Sequence, residues 1–193
     1  MIKIIFTIFL IILPVNAIAL IEVDITRGNL NPLPIAVSPL SIDENSNQNF
    51  QKILKKKNIG SEISIVVENN LKASGLFNPL NKDAFLQAPD IANLKPRFED
   101  WNLIKAQALI TGKVNFVDDK LRVEFRLWDV LAGKEMMALA FTTVPNNWRR
   151  VGHIITDKVY ERLTGEKGYF DTRIIYVSEE GPKTRRIKKL AIM

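Results

Sequence analysis

Hydrophobic and polar residues alternate with two different periods along the chain, and the two periods predict helices and strands respectively. Apolar residues at helical spacing predict an amphipathic helix over residues 61–74, with Gly75 as its stop signal. The same spacing predicts a second helix over residues 148–163, stopped by Gly165. Between the two, acidic residues ahead of Trp101 suit the first turn of a short helix.

Residues 106–117, 120–130 and 135–144 are three consecutive strand candidates, and the middle one alternates between apolar and polar residues. The turns between them, Asp118-Asp119 and residues 132–134, have lengths that suit hairpins. One side of the middle strand is apolar and should be buried, whereas the other should be largely exposed to water. The apolar side carries Leu121, Val123, Phe125 and Leu127, and the other side carries Arg122, Glu124, Arg126 and Trp128.

The beginning of the chain contains two further strand patterns. Ile21, Val23 and Ile25 alternate with polar residues, which indicates a half-buried strand, and Gly28 with two prolines then breaks the pattern. Residues 34–40 are continuously apolar, as in an interior strand. Residues 21–25 are therefore either an edge strand of the chain's own sheet or a segment that pairs with another protein's sheet. The pattern alone favours the edge strand.

Residues 41–57 are rich in Asn, Gln and Lys and are interpreted as a polar loop leading into a helix. Together the elements predict a mixed-sheet α/β domain over residues 20–165. Residues 166–193 are interpreted as a linker and a hairpin, because β-branched and apolar runs at 172–177 and 186–193 flank turn residues. A lone hairpin is marginally stable in water, so the chain is expected to be cut within a second domain.

The N-terminus predicts export. Lys3 precedes an apolar run at residues 4–13, and Ala17-Ile18-Ala19 forms a small-x-small site. This is the pattern of a signal peptide over residues 1–19, cleaved between Ala19 and Leu20. The alternative is an uncleaved membrane anchor, although the apolar run is short for spanning a bilayer. The sequence contains no cysteine, which suits a bacterial periplasm better than a disulfide scaffold.

Composition and motifs predict no catalytic, cofactor or metal site. His153 is the only histidine and there is no cysteine, whereas a zinc site needs three or four protein ligands. The carboxylate pairs 118–119 and 179–180 are interpreted as turn residues, and no glycine-rich phosphate loop follows a strand. A net charge of +6 permits an anionic partner. The basic runs at 52–57 and 183–189 lack interleaved aromatics, so nucleic acid is not favoured.

Three stretches, in this order and spacing, resemble one family. They read "FEDWNLIKAQALITGKV", "LRVEFRLWDVLAGKEM" and "WRRVGHIITDKVYERLTGEKGYFDTRIIYVS". The pattern is similar to the N-terminal half of the TolB family, the periplasmic component of the bacterial Tol–Pal system. The resemblance covers residues 20–193 and is weakest over 41–57. It implies the same α/β domain followed by a six-bladed β-propeller, with residues 170–193 matching the start of the first blade.

The resemblance also implies partners and a role. The family's propeller binds the lipoprotein Pal, so this chain, as a truncated form, is not expected to bind it. The N-terminal mature segment, residues 20–31, is expected to contact TolA, which favours strand addition over an edge strand. The expected contact residues are Leu20, Ile21, Glu22, Val23, Asp24, Ile25, Thr26 and Arg27.

The implied function is non-enzymatic. The family couples the inner-membrane Tol complex to the outer-membrane lipoprotein Pal, in envelope integrity and in constriction during cell division. The alternative, from a different class, is a small periplasmic α/β domain that binds a ligand in a cleft at the edge of its sheet.

Overall fold

The computed structural model describes residues 31–56, 58–173 and 175–192. The expected signal peptide (residues 1–19), its cleavage site and the segment 20–27 therefore lie outside the described residues. The helices are α1 Glu44–Leu54, α2 Ile59–Ala73, α3 Pro89–Leu94, α4 Phe98–Leu103 and α5 Trp148–Thr164. The strands are β1 Leu33–Val37, β2 Ser41–Ile42, β3 Phe77–Pro79, β4 Ala108–Val117, β5 Lys120–Asp129, β6 Lys134–Thr143, β7 Ile175–Glu180 and β8 Ile187–Ile192.

A mixed sheet organises the chain up to α5. Its strand order is β3-β1-β4-β5-β6, with β2 pairing alongside β4. The pairs β1 with β3, β1 with β4 and β2 with β4 are parallel, whereas β4, β5 and β6 form an antiparallel meander. The predicted α/β class and the three consecutive strands are confirmed. β1 is an interior strand, as its continuous apolar run predicts, because a strand with neighbours and helices around it is shielded from water on both faces.

Helices cover both faces of the sheet. The larger core lies beneath α1, α2 and α5 and takes in the apolar side of β5, where Leu121, Val123, Phe125 and Leu127 are at most 1% exposed. A smaller core beneath α3 and α4 is centred on Trp101. The second side of β5 is half-buried and not largely exposed, which corrects the expectation. Trp128 packs edge-on against Phe98 of α4, and Arg126 donates to the carbonyl of Asn93.

Helix α1 replaces most of the polar loop predicted for residues 41–57. Asp43 caps its N-terminus by accepting from the backbone N–H of Ser46 at 2.8 Å, and hydrogen bonding from Ser46 lowers the pKa of Asp43. Phe50 is fully buried and packs edge-on against Phe116 of β4 at 5.2 Å. Phe50 therefore anchors a largely polar helix on the sheet, supported by Leu54 and by the hydroxyl of Ser46, which accepts from the backbone N–H of Phe116. The sequence pattern misses it because few of its residues are apolar.

The C-terminal elements follow the predicted pattern with one difference. Helix α5 ends at Gly165, whose φ of 75° is the left-handed conformation that glycine adopts readily. Strands β7 and β8 form the predicted hairpin, which is exposed along most of its length. Glu179 and Glu180 lie on β7 and not in the turn, which corrects the interpretation. From this strand Glu179 forms ion pairs with Arg186 and Lys188. Among the described residues no helix has the length and apolarity to span a membrane.

Candidate interaction surfaces

The segment 20–27 would join the described chain next to strand β1. Both sides of β1 are occupied, by β3 on one side and by β4 on the other. The backbone N–H of Leu33 also bonds to the carbonyl of Leu76 at 2.9 Å, which fixes the start of the strand. The edges of the sheet are β3, which contains Pro79, and the ten-residue strand β6. Within the described sheet, β1 therefore has no unpaired side.

The connection from β1 to β2 is fixed by helix α2. The side-chain oxygen of Ser64 accepts from the backbone N–H of Leu40 at 2.9 Å and donates to the carbonyl of Ser38 at 3.1 Å. Gly60, one turn earlier on α2, lies directly against the carbonyl of Leu40, where a Cβ atom would collide. The glycine allows helix and connection to approach closely. The backbone that connects β1 to β2 is therefore held by direct contacts with α2.

The residues after α5, 166–171, are here named the exit segment, and they pack back onto that helix. The carboxylate of Asp157 accepts from the backbone N–H of Phe170 at 2.7 Å and of Asp171 at 3.1 Å. Arg150, at the start of α5, forms a two-pronged ion pair with Asp171 at 3.0 Å. The ring of Tyr160 contacts the rings of Tyr169 and Phe170 edge-on. The packed unit therefore continues to Asp171, past Gly165.

His153 lies where α5 packs against α2. Its Nδ1 accepts from the amide of Asn70 at 2.9 Å, and the same amide donates to the hydroxyl of Thr156 at 3.1 Å. Burial, with a smaller contribution from Arg149, lowers the pKa of His153. Among the described residues no three His, Asp or Glu side chains cluster in a way that could hold a metal ion. The histidine therefore links α5 to α2 through a hydrogen bond.

Two basic stretches that are far apart in sequence meet around Trp148. The ammonium of Lys56, just after α1, lies 5.5 Å from the centre of the indole ring, and the guanidinium of Arg149 lies 5.4 Å from it. We name this surface the Trp148 patch. Its centre is formed by Lys56, Trp148 and Arg149, and we include their exposed neighbours along the chain, which are Lys52, Ile53 and Lys55 at the end of α1 and Val144 before α5.

The basic run at 52–57 has no aromatic residue interleaved within it, but the fold sets the indole of Trp148 beside Lys56. The aromatic residue comes from α5, ninety-two positions after Lys56. No local pattern could reveal this. The signal that could have been noticed is the pair of arginines in the first turn of α5, a position where acidic residues are normally favoured.

A shallow cleft of about 240 Å³ lies beside the smaller core. Its polar centre is Gln87, which is 5% exposed. The side-chain oxygen of Gln87 accepts from the backbone N–H of Arg97 and from the indole N–H of Trp101, each at 2.9 Å, and its amide donates to Lys95. Ligand pockets usually measure about 300–1,000 Å³. The cleft is smaller, and its buried polar group is already engaged in the fold.

The chain matches known proteins in sequence and in structure. The family model described as the TolB amino-terminal domain matches residues 21–136. The Tol-Pal system protein TolB of Pelagibacter ubique strain HTCC1062 is 86% identical over 186 residues, which are 96% of this chain and 42% of that protein. The chain therefore spans less than half the length of that relative.

One solved structure agrees with the fold. The crystal structure of TolB from Acinetobacter baumannii superposes with a TM-score of 0.64 at 23% identity, covering 83% of this chain and 36% of that one. A PelC dodecamer from Paraburkholderia phytofirmans gives a TM-score of 0.42 at 16% identity, covering 72% of this chain and 92% of that one, and supports no inference. The sequence matches carry the assignment: the chain belongs to the TolB family of Tol–Pal system proteins, an envelope protein family without enzymatic activity.

Proposed function

We propose that the chain is a periplasmic interaction protein of the Tol–Pal system that binds TolA through residues 20–27. In this proposal the full-length family protein couples the inner-membrane Tol complex to the lipoprotein Pal, in envelope integrity and in constriction during cell division. Residues 20–27 act as an added strand on TolA, with backbone hydrogen bonds supplying affinity and alternate side chains supplying specificity.

The observation that supports this proposal is the position of β1 within the sheet. β1 begins at Leu33 and already has a neighbour on each side, so the described sheet has no gap that residues 20–27 must fill. The alternation of apolar and polar residues in that segment nevertheless indicates a strand. A strand without a necessary place in its own sheet is suited to pairing with another protein.

Pal binding is proposed to belong to the part of the family protein that this chain does not span. The chain covers 42% of its Pelagibacter relative, and the described residues after the exit segment are mainly one hairpin. Ile175, Val177 and Leu190 of that hairpin are more than half exposed. Such a hairpin needs further strands to bury its apolar side chains, which supports assigning it to the first blade of a propeller. We place the boundary between the two units after Asp171.

Calorimetric titration with the purified C-terminal domain of TolA tests the proposal. Residues 20–193 should bind, and deletion of residues 20–26 should abolish binding while leaving the thermal midpoint nearly unchanged. Pal titrated against residues 20–193 should give no signal. If the deletion unfolds the domain, the segment is an integral strand and the proposal is wrong. A thermal-shift screen with metabolites and anions tests the ligand-binding alternative, which saturable stabilisation without any response to TolA would favour.

A further inference from the structure

The Trp148 patch concentrates positive charge that the fold leaves without carboxylate partners. Among the described residues no ion pair involves Lys52, Lys55 or Arg149, and all three are exposed. Lys56 pairs with Glu62 at 3.2 Å. The patch therefore presents at least three uncompensated cations. Residue 57, also a lysine, lies outside the described residues.

The start of α5 adds further positive charge to this surface and does not neutralise it. A helix N-terminus carries partial positive charge and is usually stabilised by acidic side chains or a side-chain cap. The first turn of α5 has no acidic residue and no side-chain cap, and instead holds Arg149 and Arg150. Arg150 is compensated by Asp171, whereas Arg149 is not. The Arg149 guanidinium and the partial positive charge of the helix N-terminus repel each other. An external anion bound at this surface would reduce that repulsion.

Exposed apolar side chains accompany the cations. Ile53 is 49% exposed on the last turn of α1, and Val144 is 54% exposed just before α5. The indole of Trp148, in the first turn of α5, is half-buried. Interfacial surfaces of membrane-binding proteins combine these residue types: lysine and arginine for anionic headgroups, with tryptophan and aliphatic side chains for the headgroup–acyl boundary.

We propose that the Trp148 patch docks on an anionic phospholipid surface. The basic side chains contact lipid phosphates, and Ile53 and Val144 enter the headgroup region. Nucleic acid is disfavoured because two cations, from Lys56 and Arg149, already lie over the indole ring, which a stacking base would need. The patch shares no residue with the segment 20–27, so lipid docking and TolA binding can be tested with separate variants.

Co-sedimentation with phospholipid vesicles tests the proposal. Residues 20–193 are used, because the apolar run at residues 4–13 would itself enter a bilayer. We expect binding to phosphatidylcholine vesicles that contain phosphatidylglycerol, weak binding to pure phosphatidylcholine, and weaker binding at higher salt. Lys52→Gln with Arg149→Gln should lower the affinity by roughly fivefold for each charge removed. Ile53→Ser should lower it without changing the salt dependence.

The matched control carries Lys95→Gln with Lys134→Gln, which removes two charges elsewhere. Lys95 follows α3 on the opposite face of the sheet, and Lys134 begins β6 near the C-terminal end of α5, at the other end of that helix from Trp148. This variant should bind vesicles as the parent chain does. All variants should keep the parent's circular-dichroism melting curve, because every changed side chain is exposed.

Three outcomes would overturn the proposal. Equal binding to neutral and anionic vesicles would show that charge does not drive binding. An equal loss of vesicle affinity in the patch and control variants would show that binding does not depend on this surface. Binding of duplex DNA that the patch variant loses, without any binding of phosphatidylglycerol vesicles, would assign the patch to nucleic acid.

Discussion

The carboxylate of Asp157 on α5 bonds to two successive backbone N–H groups, those of Phe170 and Asp171, at 2.7 and 3.1 Å. Gly168 fits against the Cα of Asp157 at a distance that leaves no room for a Cβ atom. One side chain thus satisfies two backbone N–H groups of the exit segment, which has no helix or strand to do so. The chain leaves the α/β domain in a direction that α5 determines.

Limited trypsin digestion tests whether Asp157 holds the exit segment. Lys167 lies inside the segment, and Arg173 lies just beyond it. In the parent protein we expect cleavage after Arg173 well before cleavage after Lys167, because a protease must open packed backbone to cut it. Asp157→Ala should accelerate cleavage after Lys167. Glu161→Ala, which removes an exposed carboxylate on the same helix, should not. Rapid cleavage after Lys167 in the parent protein would show that the segment is not held.

Gly60→Ala should destabilise the domain although alanine is the better helix former. At an exposed position inside a helix, replacing glycine by alanine raises the free energy of unfolding by about 1 kcal/mol. Here the new Cβ would collide with the carbonyl of Leu40, so overpacking should lower the free energy of unfolding by about 1–3 kcal/mol. Urea unfolding provides the measurement, with Ser61→Ala as the neighbouring control. A higher free energy of unfolding in Gly60→Ala would show that the connection after β1 can move to accommodate the new methyl group.

Gln87→Ala should lower the free energy of unfolding by about 2–4 kcal/mol. The substitution leaves two donors without an acceptor, the backbone N–H of Arg97 and the buried indole N–H of Trp101. Gln48→Ala, which removes an exposed amide bonded only weakly to Glu44, should change it by less than about 0.5 kcal/mol. Similar urea midpoints for the two variants would indicate that water replaces Gln87.

His153 should make stability depend on pH below about 6.5. Its pKa is lowered in the folded state, chiefly by burial and then by Arg149, although Asp171 and Asp157 oppose the shift. The unfolded chain therefore binds more protons between the two pKa values, so the free energy of unfolding should fall as the pH drops through that window. Since the chain has no other histidine, His153→Gln should flatten this part of the profile. An unchanged slope in the variant would assign the dependence to other groups.

Substitutions at residues 22 and 23 distinguish a paired strand from side-chain contact. Val23→Pro removes a backbone donor and should nearly abolish TolA binding. Val23→Ala should weaken binding by roughly 1–2 kcal/mol, and Glu22→Ala, on the exposed side, should have little effect. Calorimetric titration measures all three, and equal losses for Val23→Pro and Val23→Ala would argue against backbone pairing.

Elements with strong local periodicity could be predicted from the sequence. The helix α5, the meander β4 to β6 and the interior strand β1 each carry an apolar pattern that matches one burial geometry, so few neighbours need to be known. The glycine stop at Gly165 is equally local. Helix α1 was missed because its stability comes from one capping carboxylate and from Phe50, whose burial depends on Phe116 of a distant strand.

Local sequence patterns are sufficient to establish the family, the class of fold and the alternation at residues 21–25, because each depends on residues that are close together along the chain. Which distant residues meet depends on how the elements pack. The packing of α1 beside the start of α5 brings Lys56 and Arg149 onto one indole ring, and the return of the chain after Gly165 brings Phe170 to Asp157. These contacts arise because burying the apolar faces of the helices on one sheet fixes the relative positions of their polar ends.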